Sequence, residues 1–161
     1  KPGGDGLADE SQKAPNPDAP IIEQVLGDPE ELQTALGITV DLPEEYPVAR
    51  YAIIGEYMAQ IEFYVGQNLA MGRVAKGQHD NMSEITSAFD FDETVQVAGL
   101  SVRLRYADPE DPALYSASKL GVADAYDAAK DISYMVSILT DATKANLTAA
   151  MEALINGATV E

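Results

Sequence analysis

The chain has 161 residues, 46% of them hydrophobic, no cysteine, and a net charge of −17 at pH 7 from 27 acids against 10 Lys and Arg. That length suits one domain plus a tail, and a chain near it buries roughly 68–70% of its unfolded surface, enough for one core without staples. The missing cysteines exclude disulfides, thiolate catalysis and Cys-ligated zinc. The charge disfavours nucleic acid and anionic membrane surfaces as partners, because both repel it.

No window approaches the roughly 20 apolar residues of a membrane span. No charged n-region with an apolar h-region is present, so the chain is expected to be cytosolic or to begin after processing. Residues 1–19 are rich in Gly, Pro, Asp and Ser, and Leu7 is their one large aliphatic side chain. Such a segment cannot bury enough surface to offset its ordering entropy, so it reads as a flexible N-terminal tether. Residues 20–161 read as a single α+β domain.

Asp28-Pro29-Glu30-Glu31 is a helix start, with Asp28 as N-cap, Pro29 at N1 and Glu31 at the capping-box position. Leu32, Ala35 and Leu36 form its buried stripe, and Gly37 stops it. Ile38–Leu42 alternates as a short strand ended by Pro43, and Val48–Ile54 reads as another. Tyr57, Ala59, Ile61, Phe63 and Val65 then share one face, with Met58, Gln60, Glu62 and Tyr64 on the other. Gly66-Gln67-Asn68 turns this strand back into Leu69–Ala75, a hairpin. Gly77–Met82 is a loop that holds His79, and Glu84–Phe91 reads as extended.

Glu93–Val97 and Leu100–Tyr106 form a second hairpin about Ala98-Gly99. The segment 108–112, with two prolines and three acids, is a loop. Val122–Tyr126 and Ile132–Leu139 form a third hairpin across Ala129-Lys130-Asp131. In its second strand Ile132, Tyr134, Val136 and Ile138 face one way and Ser133, Met135 and Ser137 the other, the pattern of one buried face. Leu147, Met151, Leu154 and Ile155 make one stripe of a closing helix, with Thr143 or Asp141 as cap and Gly157 at a left-handed C′ position. Strands outnumber helices by about eight to two, and the turns are too short for crossovers. The expected fold is therefore α+β, a curved and mostly antiparallel sheet covered on one face by an N-terminal and a C-terminal helix.

Candidate chemistry is thin. Asp90-Phe91-Asp92-Glu93 offers hard oxygens to calcium but lacks the glycine and the ligand spacing of an EF-hand. Asp108, Glu110 and Asp111 are a second such cluster, while Asp124, Asp127 and Asp131 suit turn formation and solubility. His79-Asp80 has the composition of a base with its orienting carboxylate, yet no nucleophile elbow accompanies it. Tyr57, Tyr64, Tyr106, Tyr115, Tyr126 and Tyr134 could form an exposed row for a carbohydrate or peptide, or act as core tyrosines with rim hydroxyls. Arg73, Arg103 and Arg105 stand out in so acidic a chain. Arg103 and Arg105 share a strand face and are expected to pair with carboxylates. No phosphate loop follows a strand. These residues assign no catalytic, cofactor or metal site.

The order helix, Gly37, Ile38-Thr39-Val40-Asp41-Leu42-Pro43, then Ile61-Glu62-Phe63-Tyr64, Gly72-Arg73-Val74-Ala75-Lys76-Gly77, Asn81-Met82-Ser83 and Ile132-Ser133-Tyr134-Met135-Val136-Ser137 before a last helix carries a resemblance. Over about Ala19–Gly157 it resembles the uncharacterised extracytoplasmic lipoprotein and anti-sigma-associated domains of Gram-positive bacteria. The chain has Ser83-Glu84 where that group has Ser-Gly, and Tyr126 where it has a tryptophan. The resemblance implies an envelope location, an upstream lipid anchor and no known catalysis. The expected function is a non-enzymatic cell-envelope domain that binds a protein or small ligand through its sheet. A divalent-cation-binding acidic protein is the alternative, and a carboxylate-based hydrolase ranks last.

Overall fold

A computed structural model describes residues 22–85, 89–106 and 119–161. The tether of residues 1–19 lies outside them, as do Asp108, Glu110, Asp111 and Tyr115. The described elements are β1 (Glu23–Leu26), α1 (Glu30–Leu36), β2 (Ile38–Val40), β3 (Val48–Ile54), β4 (Met58–Val65), β5 (Asn68–Lys76), β6 (Phe91–Val97), β7 (Leu100–Tyr106), β8 (Gly121–Asp127), β9 (Ile132–Ile138), α2 (Lys144–Gly157) and β10 (Ala158–Val160). The class is α+β, with an antiparallel eight-stranded sheet in the order β1-β3-β4-β5-β9-β8-β7-β6 and a ribbon of β10 and β2. No helix among the described residues is long and apolar enough to cross a membrane.

The sheet joins two four-stranded sets. Hairpins link β3, β4 and β5 on one side and β6 through β9 on the other, apart from the longer connection between β7 and β8. The sets meet where β5 pairs with β9, with Tyr134 opposite Val74. The eight-strand count matches the sequence reading, but its membership differs. β1 enters the sheet unannounced, and Ile38–Val40 leaves it to pair with the three-residue β10. The four residues of β1 and the three of β10 are too few for alternation to register.

Local chemistry sets most boundaries. The Asp28 carboxylate accepts the Glu30 N–H at 2.9 Å, and the Glu31 carboxylate accepts the Asp28 N–H at 3.1 Å, a reciprocal cap. Gly37 takes φ +70° and closes α1. The β6–β7 turn holds Ala98 at φ 51° and Gly99 at φ 85°, the paired positive angles that suit a two-residue hairpin. Thr143 and Asn146 form the cap at the start of α2. Residue 84, Ile85 and residues 89–90 are not strand, so β6 begins only at Phe91; residues 86–88 of the expected extended stretch lie outside the described residues.

The larger core cluster gathers Ile61, Phe63, Val74, Val102, Leu104, Tyr134 and Val136 from the sheet with Leu32 of α1 and Leu147, Met151 and Leu154 of α2. A smaller cluster on the opposite sheet face holds Ala52, Ile54, Met58, Ala75, Met82, Val122 and Met135. β9 therefore departs from the expectation of one buried face: every residue in it is buried. Ser133 Oγ donates to Gly77 O at 2.6 Å and accepts the His79 N–H at 3.0 Å, so the loop after β5 lies over the side that looked exposed.

Gly157 also departs from expectation. It takes no left-handed conformation but ends α2 against the backbone, where a Cβ would stand 2.5 Å from Asp41 O. The Asp41 N–H donates to Gly157 O at 2.9 Å. Gly121 is equally crowded, by Ala142 Cβ and Leu147 Cδ1 at 2.7 Å. Gly157→Ala and Gly121→Ala should each cost about 1–3 kcal/mol in urea denaturation, as overpacking does. Gly27→Ala, with nothing within 4 Å, should stay within about 0.5 kcal/mol of the parent.

Candidate functional site

The sheet face opposite the larger cluster holds all four arginines of the chain. Strand alternation and register set one row across it: Ala52, Gln60, Arg73, Met135, Asp124, Arg103 and Thr94. The next row runs Arg50, Glu62, Met71, Ser137, Val122, Arg105 and Asp92.

Each arginine has a partner on that face. Arg50 Nε donates to Glu62 Oε2 at 2.6 Å, and its Nη2 to Glu23 Oε2 at 2.8 Å. Arg103 grips Asp92 with two bonds, at 2.8 and 2.6 Å, which hold the Asp92 carboxyl below its usual range. Arg105 Nη2 donates to Asp124 Oδ2 at 2.8 Å while Phe89 stacks over its guanidinium. Burial pushes the Asp124 carboxyl up even with that guanidinium beside it.

Arg73 is the buried member, only 6% exposed. Its Nε donates to Gln60 Oε1 at 2.9 Å, and its Nη1 to Met82 O at 2.7 Å and Glu84 Oε1 at 3.2 Å. It holds the loop over Met135 and Val122, so it serves as a clamp rather than as a surface anion receptor.

The acids weighed as calcium ligands do not converge. Adjacent strand residues point to opposite faces, so Asp92 turns to Arg103 while Glu93 turns to the α2 side. There Glu93 accepts from Tyr106 Oη at 2.6 Å and Lys144 Nζ at 2.8 Å, and the Lys144 ammonium and then that hydroxyl hold its carboxyl low. Asp127 closes its own turn through the Ala129 and Lys130 N–H groups, and Asp131 accepts from Tyr126 Oη. Among the described residues, no three His, Asp or Glu side chains gather as a metal site.

His79 Nε2 lies 2.7 Å from Lys76 O. A carbonyl only accepts, so Nε2 carries the proton and bonds to backbone rather than to Asp80. The ring also lies against Tyr57, with centroids 4.9 Å apart.

The tyrosines form no single row. Tyr106 and Tyr134 belong to the larger cluster, Tyr64 and Tyr126 stand on the arginine face, and Tyr57 sits in the turn before β4. The fold does bring several candidates together. Gln78, His79 and Asp80 wall a groove of about 320 Å³ whose other lining includes Thr94, Ser101, Arg103, Asp124 and Tyr126. A second groove on this face, about 450 Å³, includes Leu69, Met71, Ser137 and Leu139 in its lining. Leu69 and Leu139 carried no signal in the sequence, because single apolar residues on a half-exposed strand are ordinary.

Arg73→Met leaves Gln60 Oε1 and Met82 O without their donor. It should cost about 2 kcal/mol in urea denaturation, and amide exchange should rise at residues 82–85 before it rises in β8. Unchanged exchange in that loop would show that the clamp is idle.

Tyr106 gives a pH test. Burial, and then the Glu93 carboxylate, push its hydroxyl up to about 12. The unfolded value is near 10, so the folded state keeps this proton longer. The stabilisation is complete below about pH 10 and is lost as pH climbs through about 12. The denaturation midpoint of Tyr106→Phe should fall less steeply over that interval than that of the parent, and equal slopes would contradict the assignment.

The chain matches no protein-family model, no curated protein and no solved structure.

Proposed function

We propose that this chain is a non-enzymatic extracytoplasmic domain, held at the cell envelope through the segment ahead of β1, and that it binds a partner with its arginine-bearing sheet face. The reading places both helices on the other face as a cover and leaves this one for recognition. The observation that carries it is the pairing of all four arginines on one face, beside two grooves.

Paired charges suit recognition better than chemistry. A general base or nucleophile needs a group free to move a proton. Here Asp92, Asp124 and Glu93 each hold a cation. Such a face offers fixed donors and acceptors whose positions set register and specificity. The resemblance to envelope lipoprotein domains supports the location and the tether, and the net charge of −17 makes nucleic acid an improbable partner by sign alone.

Cell fractionation tests the reading. In cells that carry the native gene, the protein should stay with the membrane fraction, leave it on detergent treatment, and be digested by protease added to intact cells. Recovery in the cytosolic fraction, shielded from that protease, overturns it.

A further inference from the structure

Three exposed apolar side chains stand in one row on the arginine face. Tyr64, Leu69 and Leu139 are 40%, 44% and 51% exposed. Tyr64 is directly opposite Leu69. The β5–β9 ladder ends with Ile138 opposite Ala70, so the next step brings Leu139 beside Leu69. Asn68 Nδ2 donates to Thr140 O at 3.0 Å and fixes the chain after β9 against β5.

The row borders the 450 Å³ groove, where Leu69, Met71 and Leu139 supply apolar surface. Glu62 and Asp141 are the charged side chains of its lining, and neither lysine nor arginine joins them. Each carboxylate has one cation neighbour, Arg50 and Lys119 respectively, and both of these stand outside the lining. An apolar row with a polar rim, exposed on a sheet, marks an interaction surface.

Charge selects the occupant. A second copy of a −17 chain is repelled, and so is an anionic membrane. A partner with apolar side chains for the row and a cation for the exposed Asp141 carboxylate, 65% exposed at the rim, is attracted and oriented. We propose that this row docks a short basic, leucine-bearing segment of a partner protein. The proposal rests on the binding reading above and narrows it to one end of that face.

The test uses the full chain and a synthetic peptide of alternating leucine and lysine, with a leucine–glutamate peptide as control. Amide shifts on titration with the leucine–lysine peptide should concentrate at Tyr64, Leu69, Met71 and Leu139. Leu69→Asp and Leu139→Asp should each weaken binding by about tenfold, near 1.4 kcal/mol, with unchanged melting temperatures because both sites are exposed. The glutamate peptide should cause no shift. Shifts spread over the acidic surface, parental affinity in both variants, or no binding overturn the docking row. Those outcomes leave the envelope location to be judged by fractionation alone.

Discussion

The pairing of β5 with β9 is the constraint on which the rest depends. It joins two hairpin-built sets of strands that otherwise make their hydrogen bonds within themselves. Leu154 of α2 packs on Gly72 in the middle of this seam, where a Cβ would come within 3.2 Å of its methyl groups. A larger residue would lift the helix from the joint. The seam also builds the opposite face: it sets Arg73 beside Met135 and carries Leu69 toward Leu139. One ladder thus fixes the core on one side and the arrangement of the paired arginines on the other.

The arginine face balances two demands. A sheet buried on both sides needs apolar residues throughout, and β9 nearly complies. Ion pairs in contact with water need the opposite, polar side chains at the surface. The loop after β5 resolves this by covering only part of the face, with Met82, Ile85 and Phe89 against the smaller cluster. Arg73 spans the boundary. Its guanidinium is desolvated by the loop it holds, and its bonds to Gln60 and Met82 O offset that cost. Beyond the loop, the Arg103–Asp92 pair is exposed on both sides and its contribution to stability shrinks.

Much of the fold was legible in the sequence where the signal was local. The β6–β7 hairpin followed from alternation on both sides of Ala98-Gly99, and the start of α1 from Asp28 and Glu31. Spacing allows Thr143 or Asp141 to cap α2, and the Thr143 side chain takes the position. Features made by distant partners stayed hidden. Ser133 and Met135 have the composition of a solvent face, and a loop some fifty residues earlier covers them. Gly157 looked like a helix stop because its neighbour across the ribbon, Asp41, lies far away in sequence. The site divided in the same way. Arg103 and Arg105 were read as paired strand residues, and they are. His79 and Asp80 are adjacent in the chain, yet the ring turns to Lys76. The apolar row takes Tyr64 from β4, Leu69 from β5 and Leu139 from just past β9, so no stretch of sequence displays it.

The seam also bears on synthesis. Val74 leaves the ribosome about sixty residues ahead of Tyr134, its partner, an interval of several seconds at roughly 5–20 residues per second. Throughout that time the inner edge of β5 is an unpaired strand and the apolar floor beneath α2 lies open. The pairing that joins the two sets of strands therefore forms only after β9 has been translated.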